Sequence, residues 1–129
     1  EPKPYAAELL RRWKARGIRL AVATANHEKL FAPALRRAGI YDCFDAFTTL
    51  AEVKRGKGFP DIYLRTAEKL ALPPADCLVL EDILAGIRGA RAGGFQTAAV
   101  ADPSNRHSRE ALAREADLFL QDFSEALRW

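Results

Sequence analysis

Methionine is absent from all 129 positions, so Glu1 is expected to lie downstream of a translational start. Cysteine is scarce. Cys43 and Cys77 are too few for a disulfide framework, and Cys77 in the run Cys-Leu-Val-Leu reads as a small buried hydrophobe. A reduced, cytoplasmic setting is the expectation. No stretch approaches the roughly 20 apolar residues that span a bilayer. Glu1-Pro2-Lys3-Pro4 is not followed by the apolar run of a secretory signal, and no membrane partner is expected. Concentrated positive charge is lacking too. The net charge of +3 comes from arginines spread over helix faces (Arg11, Arg12, Arg16, Arg36, Arg37, Arg88 and Arg91). The basic stripe and stacking aromatics of a nucleic-acid surface are missing, so these arginines read as solvated. Two glycine signatures are also missing. The position five before Gly56 is Ala51 and neither Ser nor Thr follows Lys57, which excludes a P-loop. No Gly-x-Gly-x-x-Gly follows a strand pattern, which disfavours a dinucleotide site.

What is present is an alternation. Short apolar runs at 18–24, 45–50, 77–80, 97–100 and 118–120 read as strands, with helical spacing between most of them. Residues 5–16 put Leu9, Leu10 and Trp13 on one face, and Gly17 is placed to end that helix. Residues 28–38 turn Leu30, Phe31, Ala34 and Leu35 inward, with a first turn expected close to Pro33. Pro60 opens a helix over 60–71 that faces Ile62, Ala67 and Leu70 to the core. Small residues at 85–92 make a helix closed by Gly93-Gly94. The run at 77–80 has the unbroken hydrophobicity of a strand covered on both faces. Strands alternating with helices imply right-handed βαβ units, a parallel sheet and one α/β domain over residues 1–129. Ligands of such sheets bind beyond the carboxyl ends of the strands. The residues there are Thr24-Ala25-Asn26, the loop after Thr49, Glu81-Asp82 and Ala101-Asp102.

Three of these places carry chemistry. Glu81-Asp82 sets two carboxylates side by side at the end of the most apolar strand, where they repel unless a cation or donors compensate. Mg²⁺ suits them, since it takes hard oxygen ligands and often needs only one or two carboxylates beside water and phosphate. Equally, Asp82 reads as the cap of the next helix, with Glu81 in solvent. Thr24 offers a hydroxyl, and Ala25 and Asn26 offer backbone N–H groups at a helix start, which suits an anion. A plain N-cap by Thr24 or Asn26 explains the same residues. Gly56-Lys57-Gly58 frees a lysine to reach a phosphoryl oxygen, or simply to stay in solvent.

In order, a strand ending in a hydroxyl, a lysine loop and a strand ending in an acidic pair resemble the haloacid dehalogenase-like (HAD) superfamily. The nearest likeness is to its β-phosphoglucomutase and phosphoglycolate phosphatase branch. Leu20-Ala21-Val22-Ala23-Thr24-Ala25-Asn26 matches its second motif. Gly56-Lys57-Gly58-Phe59-Pro60-Asp61 matches its third. Val79-Leu80-Glu81-Asp82, with Gly86-Ile87-Arg88-Gly89-Ala90-Arg91-Ala92-Gly93, matches its fourth. The likeness runs from about Pro4 to the C-terminus. It implies a three-layer αβα Rossmann-like core and a Mg²⁺-dependent phosphatase or phosphomutase acting on a small phosphorylated metabolite. By the same resemblance Thr24 and Lys57 are catalytic. Thr24, Ala25, Asn26 and Lys57 hold the phosphoryl group, and Asp82 with Glu81 binds Mg²⁺. Gly58 stands where the family has Pro, loosening the lysine loop. Ile83 stands where Ser is common, removing a donor near the metal.

The resemblance also implies a nucleophile that this sequence lacks. The family mechanism passes through an aspartyl-phosphate formed on the first strand, in an Asp-x-Asp-Gly-Thr type of motif whose second aspartate is the acid and base. Asp42 and Asp45 do not follow an apolar strand, and Asp61 belongs to the lysine stretch. The expectation is a partial core with the second, third and fourth motifs but neither the first strand nor the cap domain. The strands ending at Thr24 and Glu81 then lose the neighbour between them and expose unpaired edges. Such a chain is expected to be inactive alone. The alternative is a non-catalytic binding module on the same fold, which has no need of Thr24, Lys57, Glu81 and Asp82 together.

Overall fold

The computed structural model describes residues 3–129. Its elements are α1 (Ala6–Ala15), β1 (Ala21–Thr24), α2 (Glu28–Arg37), β2 (Ala46–Thr49), α3 (Asp61–Leu70), β3 (Leu78–Glu81), α4 (Leu84–Ala92), β4 (Gln96–Val100), α5 (Arg109–Glu115) and β5 (Leu118–Leu120), with short 3-10 turns between some of them. Every ladder is parallel, but the strands form two sheets. β1 pairs with β2, from Ala21 opposite Ala46 to Thr24 opposite Thr49. β3, β4 and β5 pair in that order. Among the described residues no ladder joins β1 to β3.

Each sheet uses an aspartate to set where its strands begin. Asp45, just before β2, accepts the Leu20 N–H at 2.8 Å and donates its own N–H to the Leu20 carbonyl at 2.6 Å. Asp117, just before β5, accepts the Thr97 N–H at 2.8 Å, and Thr97 Oγ1 accepts the Asp117 N–H at 3.1 Å. A slip of one residue would turn every side chain to the other face. These aspartates therefore decide which side chains see the core.

The layers are helix, sheet and helix, the three-layer αβα core expected. On one face, Leu9 and Trp13 of α1 pack with Leu20, Ile40 and Cys43 near β1 and β2, and with Ala98, Val100 and Leu120 of β4 and β5. On the other, Ile62, Tyr63 and Ala67 of α3 join Ala90 and Phe95 over Ala23 and Val79, while Ile87 and Leu112 close over Ala99. Fully burying each of Leu9, Ile62, Ile87 and Leu112 contributes about 1.5–3 kcal/mol. Both helical layers thus bridge the break between the sheets. Ala23 and Val79 share one cluster, Leu20 and Leu80 the other. Packing, not a hydrogen-bond ladder, holds the two halves together.

Several expectations are corrected. α2 begins at Glu28, well ahead of Pro33. His27 closes its first turn, Nδ1 accepting the Lys29 N–H at 3.2 Å, and the carbonyl that Pro33 leaves unbonded belongs to exposed Lys29, where water serves it. Leu30 faces outward because Phe31, one residue on, turns in to stack on Phe47 with centroids 5.5 Å apart. β3 meets a helical layer on each face but is less buried than its unbroken hydrophobicity suggests, because one edge lacks a strand: Leu78 is 38% exposed and Val79 and Leu80 are half-buried. Cys77 is likewise half-buried, not buried. α5 was not expected, being short and burying only Leu112. The seven arginines are exposed, as expected, and some of them also hold partners across the surface. Arg11 donates to the Gly39 carbonyl at 3.3 Å, Arg12 to that of Leu127 at 2.5 Å, and Arg88 holds both oxygens of Glu115 at 2.8 Å.

Candidate active site

β3 ends on Glu81, whose side chain is only 7% exposed. A carboxylate so placed needs donors to offset the loss of water. It has two on one oxygen: Lys57 Nζ donates to Glu81 Oε2 at 2.7 Å and the Tyr63 hydroxyl donates to the same atom at 2.6 Å. Burial first, and then the Glu81 charge, push the Tyr63 hydroxyl far above its ordinary pKa. Tyr63 therefore stays a protonated donor to Glu81 around neutral pH. The solvated reading of Glu81 does not hold.

The α4 glycines explain how Lys57 comes to this place. A Cβ on Gly86 would lie 2.5 Å from Glu81 Cδ, and one on Gly89 would lie 2.1 Å from the Lys57 carbonyl oxygen. Both are closer than real Cβ contacts allow. Helix α4 thus presents one bare strip against which the Glu81 side chain and the lysine loop rest. Gly56 and Gly58 face open space. The loop rests on α4 through its backbone at Lys57 and Phe59. Arg55 closes its other end, with Nη2 at 2.7 Å from Asp61 Oδ1 and the guanidinium 4.4 Å above the Phe59 ring.

Asp82 points elsewhere. It does not cap α4, whose N-cap is Ile83 without a side-chain bond. Its Oδ2 lies 3.3 Å from Lys3 Nζ, and the same ammonium is hydrogen-bonded to Asp102 Oδ1, just after β4. Asp102 is held well below the usual carboxylate range, by Lys3 foremost and then by Ser104. Burial works to lower the Lys3 pKa, but the bonds to Asp102 and Asp82 outweigh it and raise the value. Asn105, almost fully buried, fastens this corner. Its Nδ2 donates to the carbonyls of Asp82 and Val100, both at 2.9 Å, and its Oδ1 accepts the Asp102 N–H at 3.0 Å.

Thr24, Ala25 and Asn26 lie at the carboxyl end of β1, on the other side of the break. Thr24 Oγ1 accepts the Asn26 N–H at 3.0 Å. This is a local turn and not a helix cap, since His27 takes that role. Ala25 and Asn26 are exposed. Among the described residues no hydrogen bond or ion pair links these three to Lys57, Glu81 or Asp82. Lys57 and Glu81 are joined, and Asp82 is their neighbour in the chain. Tyr63, Asn105 and Lys3 were not singled out by residue type. Only the spacing of Gly86, Gly89 and Gly93 signalled the close packing behind them.

Among the described residues no group of three or more His, Cys, Asp or Glu side chains gathers as a metal site. The donors that exist still suit a hard divalent cation. Asp82 offers oxygen ligands, and the Lys3 ammonium between Asp82 and Asp102 shows that positive charge is accommodated there. This meets the low protein-ligand demand of Mg²⁺, with Glu81 committed to Lys57 and Tyr63.

The fold and these residues define a class: a parallel α/β core with a buried lysine–carboxylate pair and a strand-end aspartate at the carboxyl ends of its strands. A family model for haloacid dehalogenase-like hydrolases matches residues 1–94. Protein CbbY of Rhodobacter capsulatus is 41% identical over 128 residues, covering 95% of this chain and 54% of that protein. Hexitol phosphatase A of Escherichia coli is 35% identical over 122 residues, covering 95% and 54%. A CbbY variant from Rhodobacter sphaeroides, solved with xylulose-(1,5)bisphosphate, superposes with a TM-score of 0.86 at 32% identity over 95% of this chain and 55% of that one. The chain belongs to the haloacid dehalogenase-like hydrolase family. It spans about half the length of the relatives named here. Phosphatases of this family generally work with a divalent metal. Among the described residues no helix is long and apolar enough to cross a membrane.

Proposed function

We propose that this chain is the phosphate-handling part of a Mg²⁺-dependent phosphatase or phosphomutase whose substrate is a small phosphorylated metabolite, with phosphorylated sugars the leading class. The observation that carries the reading is the Lys57–Glu81 pair at 2.7 Å, adjoining Asp82 at the end of β3. An ammonium fixed in this way meets charge developing on a phosphoryl oxygen without having to reorganise. The Thr24 hydroxyl and the N–H groups of Ala25 and Asn26 receive the other phosphoryl oxygens. Asp82 holds the metal, which when bound supplies further positive charge to the phosphoryl group. Glu81 and Tyr63 station Lys57. The substrate class is supported by relatives named for hexitol phosphates or solved with xylulose-(1,5)bisphosphate.

The nucleophile belongs to the whole protein. An aspartate on a strand seated between β1 and β3 attacks phosphorus and displaces the ester oxygen of the metabolite. That oxygen leaves as the alcohol after taking a proton from the second aspartate, and water then hydrolyses the aspartyl-phosphate to inorganic phosphate. The open edges of β1 and β3, each paired on one side only, and the half-length match to relatives support this division. The test is hydrolysis of pentose and hexose phosphates by the whole protein with Mg²⁺. Lys57→Ala should lower kcat/KM about a thousandfold, roughly 4 kcal/mol of transition-state stabilisation. The 129-residue chain alone should turn over nothing. Turnover by that chain which Lys57→Ala abolishes, or an unimpaired Lys57→Ala whole protein, would sink the reading.

A further inference from the structure

Lys3 lies just ahead of α1, 99 residues from Asp102 in sequence, yet its ammonium is in contact with both Asp102 and Asp82. The backbone at both aspartates does not depend on it for position. Asn105 binds the backbone at each, and Asp102 Oδ2 separately accepts the Ser104 N–H at 3.0 Å. Lys3 is the adjustable member of the group, a charge on a flexible four-carbon stem. Its side chain is 29% exposed, and those of Asp82 and Asp102 are 30% and 25% exposed. All three therefore border water, where an ion can arrive.

We propose that Lys3 is a built-in cation that competes with Mg²⁺ for Asp82, bridging Asp82 and Asp102 without metal and withdrawing onto Asp102 when metal binds. The inference rests on the reading of Asp82 as a metal ligand. A Mg²⁺ ion bound to that carboxylate sits about 2.1 Å from its oxygen. An ammonium 3.3 Å from Asp82 Oδ2 would then share the carboxylate with a divalent ion, and the two cations repel. Asp102 resolves the conflict. It already hydrogen-bonds the ammonium, and it leaves the lysine neutralised when Asp82 is taken. Lys3 thus weakens metal binding, and Asp102 softens that effect.

The experiment is calorimetric titration of Mg²⁺ into the whole protein and into its Lys3→Gln, Lys3→Arg, Asp102→Asn, Asp82→Asn and Lys3→Gln/Asp102→Asn variants, each checked for an unchanged melting temperature. Lys3→Gln should tighten Mg²⁺ binding about fivefold or more, the usual lower range of coupling between two ligands. Lys3→Arg should bind as the parent does. Asp102→Asn should weaken binding, because Lys3 is then left on Asp82 alone, and should have no effect once Lys3 is Gln. Equal or weaker binding in Lys3→Gln, with binding still lost in Asp82→Asn, overturns the competition and spares the metal reading. The same loss from Asp102→Asn in both backgrounds overturns the role given to Asp102 as an alternative seat. No Mg²⁺ binding by any folded variant overturns the metal reading of Asp82, and the proposal with it.

Discussion

β3 and β4 lie side by side in one sheet, and their burial runs opposite to their hydrophobicity. β4, with Thr97, Ala98, Ala99 and Val100, is almost wholly excluded from water. β3, with Leu78, Val79 and Leu80, is the more apolar and the more exposed. The difference is in their neighbours. β4 has a strand on each side, α1 on one face and α4 and α5 on the other. β3 has a strand on one side alone, and β1, also half-buried throughout, shares that condition. Hydrophobicity in excess of burial measures surface that the fold is built to cover. Here the excess lies on the two strands that flank the break.

The comparison breaks most readily by charge. Ala98→Asp in β4 buries a carboxylate among Leu9, Trp13 and Val100 with no donor provided, and should cost more than about 4 kcal/mol, enough to unfold the chain. Leu78→Asp in β3, on a residue already 38% exposed, should cost about 1 kcal/mol. Thermal melts followed by circular dichroism measure both. Equal losses would mean that β3 is as closed as β4 in solution.

Strand order, the helices other than α5, the parallel topology and the acidic and lysine positions were legible in the sequence, because they rest on periodicity and on local residue types. Burial was not. The run at 77–80 reads as doubly covered since composition records what a strand is suited to, and the cover depends on which strand stands beside it. Glu81 was seen as a metal ligand or a solvated group, and neither reading includes Tyr63, which reaches it from α3. Asn105 and Lys3 were illegible for a plainer reason. Their partners at Asp82 lie on other elements, and nothing in a single sequence pairs them. Gly86 and Gly89 were visible as a pattern, but the atoms that forbid a side chain at each appear only in the fold.

Those glycines sharpen the comparison at the scale of one methyl group. Gly89→Ala drives a Cβ to 2.1 Å from the Lys57 carbonyl oxygen, which is backbone and cannot swing aside. It should destabilise the chain by about 2–3 kcal/mol despite the better helix propensity of alanine. Gly58→Ala, facing open space without a positive φ, should be neutral within about 0.5 kcal/mol. Urea midpoints distinguish them. A neutral Gly89→Ala would show that the lysine loop does not rest on α4.

The smallest effect separates the two sheets by pH. At the end of β2, Glu52 accepts from Lys69 Nζ at 2.7 Å and from the Thr49 N–H at 3.1 Å, and these bonds, Lys69 first, hold its carboxyl below the ordinary range. A carboxyl with a depressed folded value stabilises the fold above its unfolded pKa, near 4.3. That contribution is lost as the pH falls through the folded value. Lys69 also donates to the Phe47 carbonyl, so the pair fastens the outer edge of the β1–β2 sheet, far from β4. Glu52→Gln should therefore remove about 0.5 kcal/mol at pH 7, as expected of an exposed pair, and progressively less as the pH falls through the depressed folded value. Because the pair touches one sheet only, hydrogen exchange at pH 6 should quicken at the amides of β2 and stay unchanged at those of β4. Equal quickening in both would show that the helical layers couple the halves so tightly that the break between β1 and β3 carries no independence, and the contrast between β3 and β4 would then be one of exposure alone.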